Sequence, residues 1–195
     1  MGIEDLISGC KKGHNESIKQ LYVNFGPTVK SICFRYIKQT DEASDTFHDC
    51  FIKIIHSVEK YNFNGSFEGW IKRVAVNFCL DKLKKKNVLI YCDEFEDSNF
   101  QIESEVDLLE DTSLFEEALK ADFSKEDWKK MISKLPEHYS IVFCLFQIDG
   151  FSHAEIAKAL TLDEKTSRSR LSKAKKKLRE IIQEEIKPQL IEIGK

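Results

Sequence analysis

The chain has 195 residues, 42% of them apolar and 32% charged, with 33 acidic against 30 basic side chains and a net charge of −3. That composition supports one medium domain or two small ones with real cores and excludes wholesale disorder. Eight Gly and three Pro exclude a collagen-like or low-complexity chain and argue against a turn-rich sandwich. The longest purely apolar run, Ile141 to Phe146, is too short to span a bilayer, so no membrane insertion is expected. The first residues lack the basic-then-apolar order of a secretory signal.

From Ile18 the apolar side chains Ile18, Leu21, Tyr22, Phe25, Val29, Ile32, Cys33, Tyr36 and Ile37 recur at offsets of three, four and seven. They predict an amphipathic helix, or a pair kinked at Pro27 where an interior hydrogen bond is lost. Thr40 is the expected N-cap of the next helix, with Asp41 and Glu42 in its first turn. Its apolar face is Ala43, Phe47, Cys50, Phe51, Ile54, Ile55 and Val58. Its other face carries Asp41, Asp45, His48 and Asp49, spaced to share one surface. Such a stripe reads as a solvated face or as a docking stripe for a basic partner.

Asn62, Asn64, Gly65 and Ser66 mark a loop. Ser66 is the expected cap of a helix from Phe67 to about Lys85, with Trp70, Val74 and Phe78, and also Ile71 and Leu83, toward the core. Lys72, Arg73, Lys82 and Lys84 to Lys86 make a basic flank that includes Asn77 and Asp81. Aromatics beside cations suit single-stranded nucleic acid, since phosphates want charge and unstacked bases want flat faces. Tyr61, Phe63 and the two asparagines, being in the loop, are expected to be freer to touch a partner than Trp70.

Charge is segregated along the chain. Residues 1–87 carry 14 basic and 10 acidic side chains, a net of +4. Residues 88–124 carry Lys120 alone against 12 acids, a net of −11, and residues 125–195 return to +4. The middle block has no clean helical period and repels itself. It predicts an acidic linker, with a helical stretch near 113–122, that acts as a spacer or imitates nucleic acid in a basic channel.

Beyond it, four helices are predicted. Ser124 caps the first, which ends before Pro136. The second runs from about Glu137 to Ile148, with Gly150 as its stop. Ser152 to Glu155 is a capping box opening a short helix to about Leu160. After Thr161-Leu162-Asp163, a last helix starts near Glu164 and runs past Leu178. A short helix, a tight turn and a helix opening on small polar and basic residues make a helix-turn-helix pattern. Leu171, Ala174 and Leu178 form the expected buried seam. Lys165, Ser167, Arg168, Ser169, Arg170, Ser172 and Lys173 form the expected exposed start, suited to base edges and phosphates in a major groove.

The six cysteines, Cys10, Cys33, Cys50, Cys79, Cys92 and Cys144, have no metal-ligand or CxxC spacing, and the five histidines form no HExxH pair. No metal, no cofactor and no catalytic constellation is expected, and the thiols read as reduced core residues.

In this order the parts resemble the extracytoplasmic-function (ECF) sigma factors of bacterial RNA polymerase, from about Leu6 to Arg179. LISGCKKGHNESIKQLY is similar to their opening helix and DEASDTFHDCFIKI to their core-binding helix. Trp70, Arg73, Ala75, Asn77 and Asp81 match a Trp-x-x-Arg-x-Ala-x-Asn-x-x-x-Asp pattern. LPEHYSIVFCLFQIDGFSHAEIAKAL and KTSRSRLSKAKKKL resemble region 4. The resemblance implies an all-α chain with a region 2-like domain (1–87), an acidic linker (88–124) and a region 4-like helix-turn-helix domain (125–187). It implies a cytoplasmic, non-enzymatic transcription initiation factor. Asp45, His48, Asp49 and Ile52 would bind core RNA polymerase. Tyr61, Asn62, Phe63, Asn64, Arg73, Asn77, Lys82 and Lys84 would engage the melted −10 element of promoter DNA. Lys165, Ser167, Arg168, Ser169, Arg170, Ser172 and Lys173 would read the −35 element, and the linker would thread through the polymerase. Family members are often held by an anti-sigma factor. The sequence departs from the family at His48 (often glutamine), Asp49 (often glutamate), Ser140 (commonly arginine) and Lys165 (frequently glycine). The rival readings are a free-standing helix-turn-helix regulator with an N-terminal sensor or dimerisation domain, and a helical metal-dependent hydrolase.

Overall fold

The structure, a computed structural model, describes residues 2–86 and 124–193, which fall into two compact units on either side of position 87. The acidic linker and its expected helix near 113–122 lie outside the described residues. All regular elements among the described residues are helical.

The first unit holds α1 (Ile3–Lys11), α2 (Asn15–Tyr36), α3 (Thr40–Ser57), a single 3₁₀ turn (Val58–Lys60) and α4 (Phe67–Lys85). The opening segment, similar as a whole to one family helix, is two helices here. Gly13, at φ +73°, takes the left-handed conformation that lets the chain reverse between them. Helix α2 is one helix with Pro27 inside it, not a broken pair. Proline leaves the Val23 carbonyl without its i+4 donor, but Val23 is exposed, so water can take that place. Helices α2, α3 and α4 pack on one another, with Leu21, Val29, Ile32, Ile54, Ile71 and Val76 sealed between them. On α4 the buried side chains are Phe67, Ile71, Ala75, Val76, Cys79, Leu80 and Leu83, whereas Trp70, Val74 and Phe78 are only half-buried. The helix is rotated by about one residue, roughly 100°, from the expected core face, because it packs against both α2 and α3.

Cys33, Cys50 and Cys79, one from each of these helices, meet as free thiols in the core, and Cys79 Sγ lies 3.9 Å from Cys33 Sγ. The neighbouring Cys33 sulfur first, and then burial, push the Cys50 and Cys79 thiols up, so both stay protonated and pack as small apolar groups. Leu21 is wholly buried at the centre of this unit. Leu21→Ala is expected to cost it about 2–5 kcal/mol. Urea unfolding followed by Trp70 fluorescence in a Trp128→Phe background reads that loss in the first unit alone.

The second unit holds α5 (Lys125–Ser133), α6 (Glu137–Phe143) running into a π-helical turn (Cys144–Ile148), α7 (His153–Leu160) and α8 (Glu164–Ile193). Ser124 caps α5 with a reciprocal Asp127 bond. The π turn ends through Asp149 N donating to Cys144 O (3.0 Å) and Phe151 N to Leu145 O (2.9 Å), with Gly150 at φ +71°. Helices α5, α6 and α7 all pack on α8. Ile141, Val142, Phe143, Leu145, Ile156, Ala174 and Leu178 fill the space between them.

Candidate nucleic-acid interface

Helix α3 presents Asp45, His48, Asp49 and Ile52 on one exposed face, as their spacing requires. Ile52 is 54% exposed, a large apolar side chain left in water. Beneath the stripe, Tyr22 of α2 meets Phe51 edge-on at 5.0 Å and Phe47 at 5.9 Å. Tyr22 and Val23 are themselves exposed and add an apolar shoulder. The place of Tyr22 in the amphipathic repeat read as core, and nothing in the repeat marks which of its positions lie at the edge.

The loop before α4 is held from several sides. Tyr61 is only 5% exposed, and its hydroxyl donates to Gly65 O at 2.8 Å. Its ring lies 5.5 Å from Trp70, which stacks on Phe67 with 9° between planes. Tyr61 therefore braces the loop and is not free to touch a partner, contrary to expectation. Ser66 caps α4 by accepting from Gly69 N at 3.0 Å. Asn62, Phe63 and Asn64 are exposed, with Asn64 N donating to Asn62 Oδ1 at 3.3 Å. Phe63 stands at φ +61°, rare for an aromatic residue. Lys11, at the end of α1, donates to Tyr61 O at 3.0 Å, and its ammonium lies 5.5 Å from the Phe63 ring centre. No sequence pattern connects Lys11 to this loop.

Along α4, Arg73 and Asn77 are exposed and Lys84 is half-buried. Lys82 is drawn inward instead and donates to the buried Thr46 hydroxyl at 2.9 Å. Thr46 in turn donates to Glu42 O at 2.6 Å. Lys82 thus ties α4 to α3, and its charge is less available to DNA than its place in a basic run implies.

In the second unit, Ser152 caps α7 by accepting from Glu155 N, while Glu155 accepts from Ser152 N at 2.9 Å. Thr161, at φ +59°, ends α7 in the left-handed region. Asp163 Oδ1 accepts from Thr166 N at 2.6 Å and starts α8, a cap that lay hidden in the turn. Lys165 and Arg168 are exposed, and Ser169, Ser172 and Lys173 are half-buried. Arg168 pairs with Glu164 at 3.0 Å.

Two expected contacts are corrected. Ser167 is 0% and Arg170 1% exposed, so neither faces a groove. Both continue the seam of Leu171, Ala174 and Leu178 one turn toward the helix start, at offsets of three and four. Ser167 Oγ meets His153 Nδ1 at 2.9 Å, and His153 stacks on Phe146 at 4.6 Å. Burial first, then the charges of Arg168 and Lys175, hold the His153 imidazole below its ordinary pKa, against an opposing pull from Glu164. The imidazole stays neutral at pH 7. The unfolded chain binds the proton more readily, so this residue's contribution to stability falls as pH drops through about 6.5. A polar bond thus joins α7 to α8.

Among the described residues no group of His, Cys, Asp or Glu is placed to hold a metal ion. No helix among them is long and apolar enough to cross a membrane.

The geometry is that of two helical modules, one with a braced aromatic-basic loop and one a helix-turn-helix. The first matches the sigma-70 region 2 model over residues 21–88 and the second the sigma-70 region 4 model over residues 125–178. Among curated proteins, the chain is 25% identical to the ECF RNA polymerase sigma factor SigW of Bacillus subtilis, over 92% of this chain and 96% of SigW. It is 27% identical to the ECF RNA polymerase sigma-E factor of Escherichia coli K12, over 94% and 93% of the two chains. Among solved structures, the sigma factor RpoE of Bartonella quintana, in complex with the anti-sigma factor NepR, matches in fold with a TM-score of 0.52. That match has 18% identity and covers 85% of this chain and 96% of that one. The chain belongs to the sigma-70 family, in its extracytoplasmic-function group.

Proposed function

We propose that this chain binds core RNA polymerase through the α3 stripe and directs it to promoters. The loop at 61–66 and α4 take the melted −10 strand, and the outward face of α8 reads the −35 element. The observation that carries this reading is the presence of both sigma modules, in order, with relatives matched over more than nine-tenths of either chain. The residues proposed at each surface are those the structure leaves exposed or half-buried, without Lys82, which ties α4 to α3. Asp45, His48, Asp49 and Ile52 dock the polymerase. Asn62, Phe63, Asn64, Arg73, Asn77 and Lys84 face the −10 strand, and Lys165, Arg168, Ser169, Ser172 and Lys173 the −35 duplex. The chain acts where the polymerase is, in the cytoplasm, and the reading leaves room for an anti-sigma factor over the same surfaces.

Each good base contact is worth about 1–3 kcal/mol, and neither module has more than a few. The free chain is therefore expected to bind duplex promoter DNA weakly and with a steep salt dependence, measured by fluorescence anisotropy. Tight sequence-specific binding without polymerase, or a dimer with a palindromic footprint, would favour a free-standing regulator. The deciding experiment is run-off transcription with core polymerase on a panel of promoter candidates. Promoter-dependent transcripts support the proposal, and no transcript together with no association with core enzyme overturns it.

A further inference from the structure

One contact in the first unit joins two segments that the function treats separately. Helix α1 lies before the residues that match region 2, which begin at Leu21. Yet its last residue, Lys11, reaches fifty positions along the chain to the −10 loop. Helix α1 is held firmly enough to aim it. A Cβ on Gly9 would collide with Ser17 Cβ at 2.8 Å, so glycine there lets α1 press directly on α2. Leu6, Ile7 and Cys10 are buried alongside.

At the loop, Lys11 makes two contacts of different kinds. Its ammonium donates to Tyr61 O at 3.0 Å, a charge-assisted bond to the backbone. The same ammonium lies 5.5 Å from the Phe63 ring centre, within cation–π range. Phe63 also lies 5.1 Å from the Tyr61 ring. These contacts bear on the residue that most needs them. A left-handed backbone at a phenylalanine is unfavourable and persists only where its surroundings impose it. The outcome is a ring 54% exposed on a braced loop, with its asparagine neighbours also facing solvent. A flat face already fixed in space costs less to order when a base stacks on it.

We propose that Lys11 is a positioning residue for −10 recognition: from the end of α1 it clamps the 61–66 loop in the shape that presents Phe63 to an unstacked base. This rests on the sigma-factor reading. Lys11 itself need touch no nucleotide. Its side chain acts through the Tyr61 carbonyl and the Phe63 ring.

The test uses the full chain with two variants. Lys11→Met keeps the alkyl stem but removes both the donor and the charge, and Lys11→Arg retains both. Hydrogen exchange of the 62–65 amides in the free protein reads the clamp without reference to transcription. Transcription by the reconstituted holoenzyme from promoters varied one base at a time reads −10 selectivity, with −35 selectivity as an internal control. Lys11→Met is expected to speed loop exchange about tenfold. It should lower discrimination between −10 bases several-fold and leave −35 discrimination unchanged, and Lys11→Arg should restore both. Unchanged exchange in Lys11→Met overturns the clamp. Faster exchange with unchanged −10 discrimination overturns the positioning role. An equal loss at both elements, or no rescue by arginine, marks a general structural effect and overturns it too. Failure of the wild-type chain to support any promoter-dependent transcript removes the sigma reading and the −10 role with it, and is told apart from clamp failure by the exchange data.

Discussion

Arg168→Ala is expected to lower transcription from −35-dependent promoters by about 5- to 150-fold, the equivalent of about 1–3 kcal/mol for a lost bidentate base contact. Arg168 is exposed near the start of α8, where a recognition helix meets base edges. In the free chain its guanidinium is engaged by Glu164, one turn earlier. That exposed pair contributes little to folding, so the substitution should leave thermal stability nearly unchanged. In the proposed complex, the guanidinium is expected to exchange a carboxylate for base acceptors. The loss should therefore concentrate on one position of the −35 element. A matrix of single-base −35 promoters against wild-type and variant holoenzyme checks this. A uniform loss across all −35 sequences would instead mark Arg168 as a phosphate contact. Arg170→Ala answers a different question. It empties a buried position in the seam and is expected to destabilise the second unit before any DNA effect can be read.

Ile52→Asp is expected to weaken association with core polymerase by about thirtyfold or more, in line with the roughly 2 kcal/mol that defines an interface hot spot. Ile52 already stands in water in the free chain, so aspartate there costs the fold little. In a docked complex the same carboxylate would be buried without a partner. Asp45→Ala should have a smaller and salt-dependent effect, because a charge at an interface rim acts mainly on the association rate. Pull-down or biolayer interferometry with core enzyme at two salt concentrations separates the two. Undiminished binding by Ile52→Asp would place the docking face elsewhere on the first unit.

Much of this was legible in the sequence because helix caps and hydrophobic periods are local signals. Ser66, Ser124 and Ser152 cap the helices they were expected to cap. The seam of Leu171, Ala174 and Leu178 is buried as its spacing required. The failures have physical causes. Ser167 and Arg170 sit on that seam by period, but their polarity suggested solvent. A hydroxyl bonded to His153 and an arginine buried along the seam override the usual exposure of such residues. The core face of α4 missed by one residue because two neighbouring helices, not one, decide its rotation. Tyr61 looked available because it was read as part of the loop, yet its ring closes an aromatic cluster with Phe63, Phe67 and Trp70. Lys11 was invisible, since its partners lie in a different element and are reached only through tertiary packing.

The division of labour along α8 bears on how such a chain diverges. One face of the helix carries the fold through Ser167, Arg170, Leu171, Ala174 and Leu178, while Lys165 and Arg168 on the other carry almost none of it. Substitutions at exposed positions of this kind usually change stability by less than about 0.5 kcal/mol. With the proposed −35 reading by these outward residues, promoter preference is free to drift while the scaffold stays intact. A duplicated copy of the gene can acquire a separate regulon through a few outward residues, and a designer can build mutually silent variants by the same route.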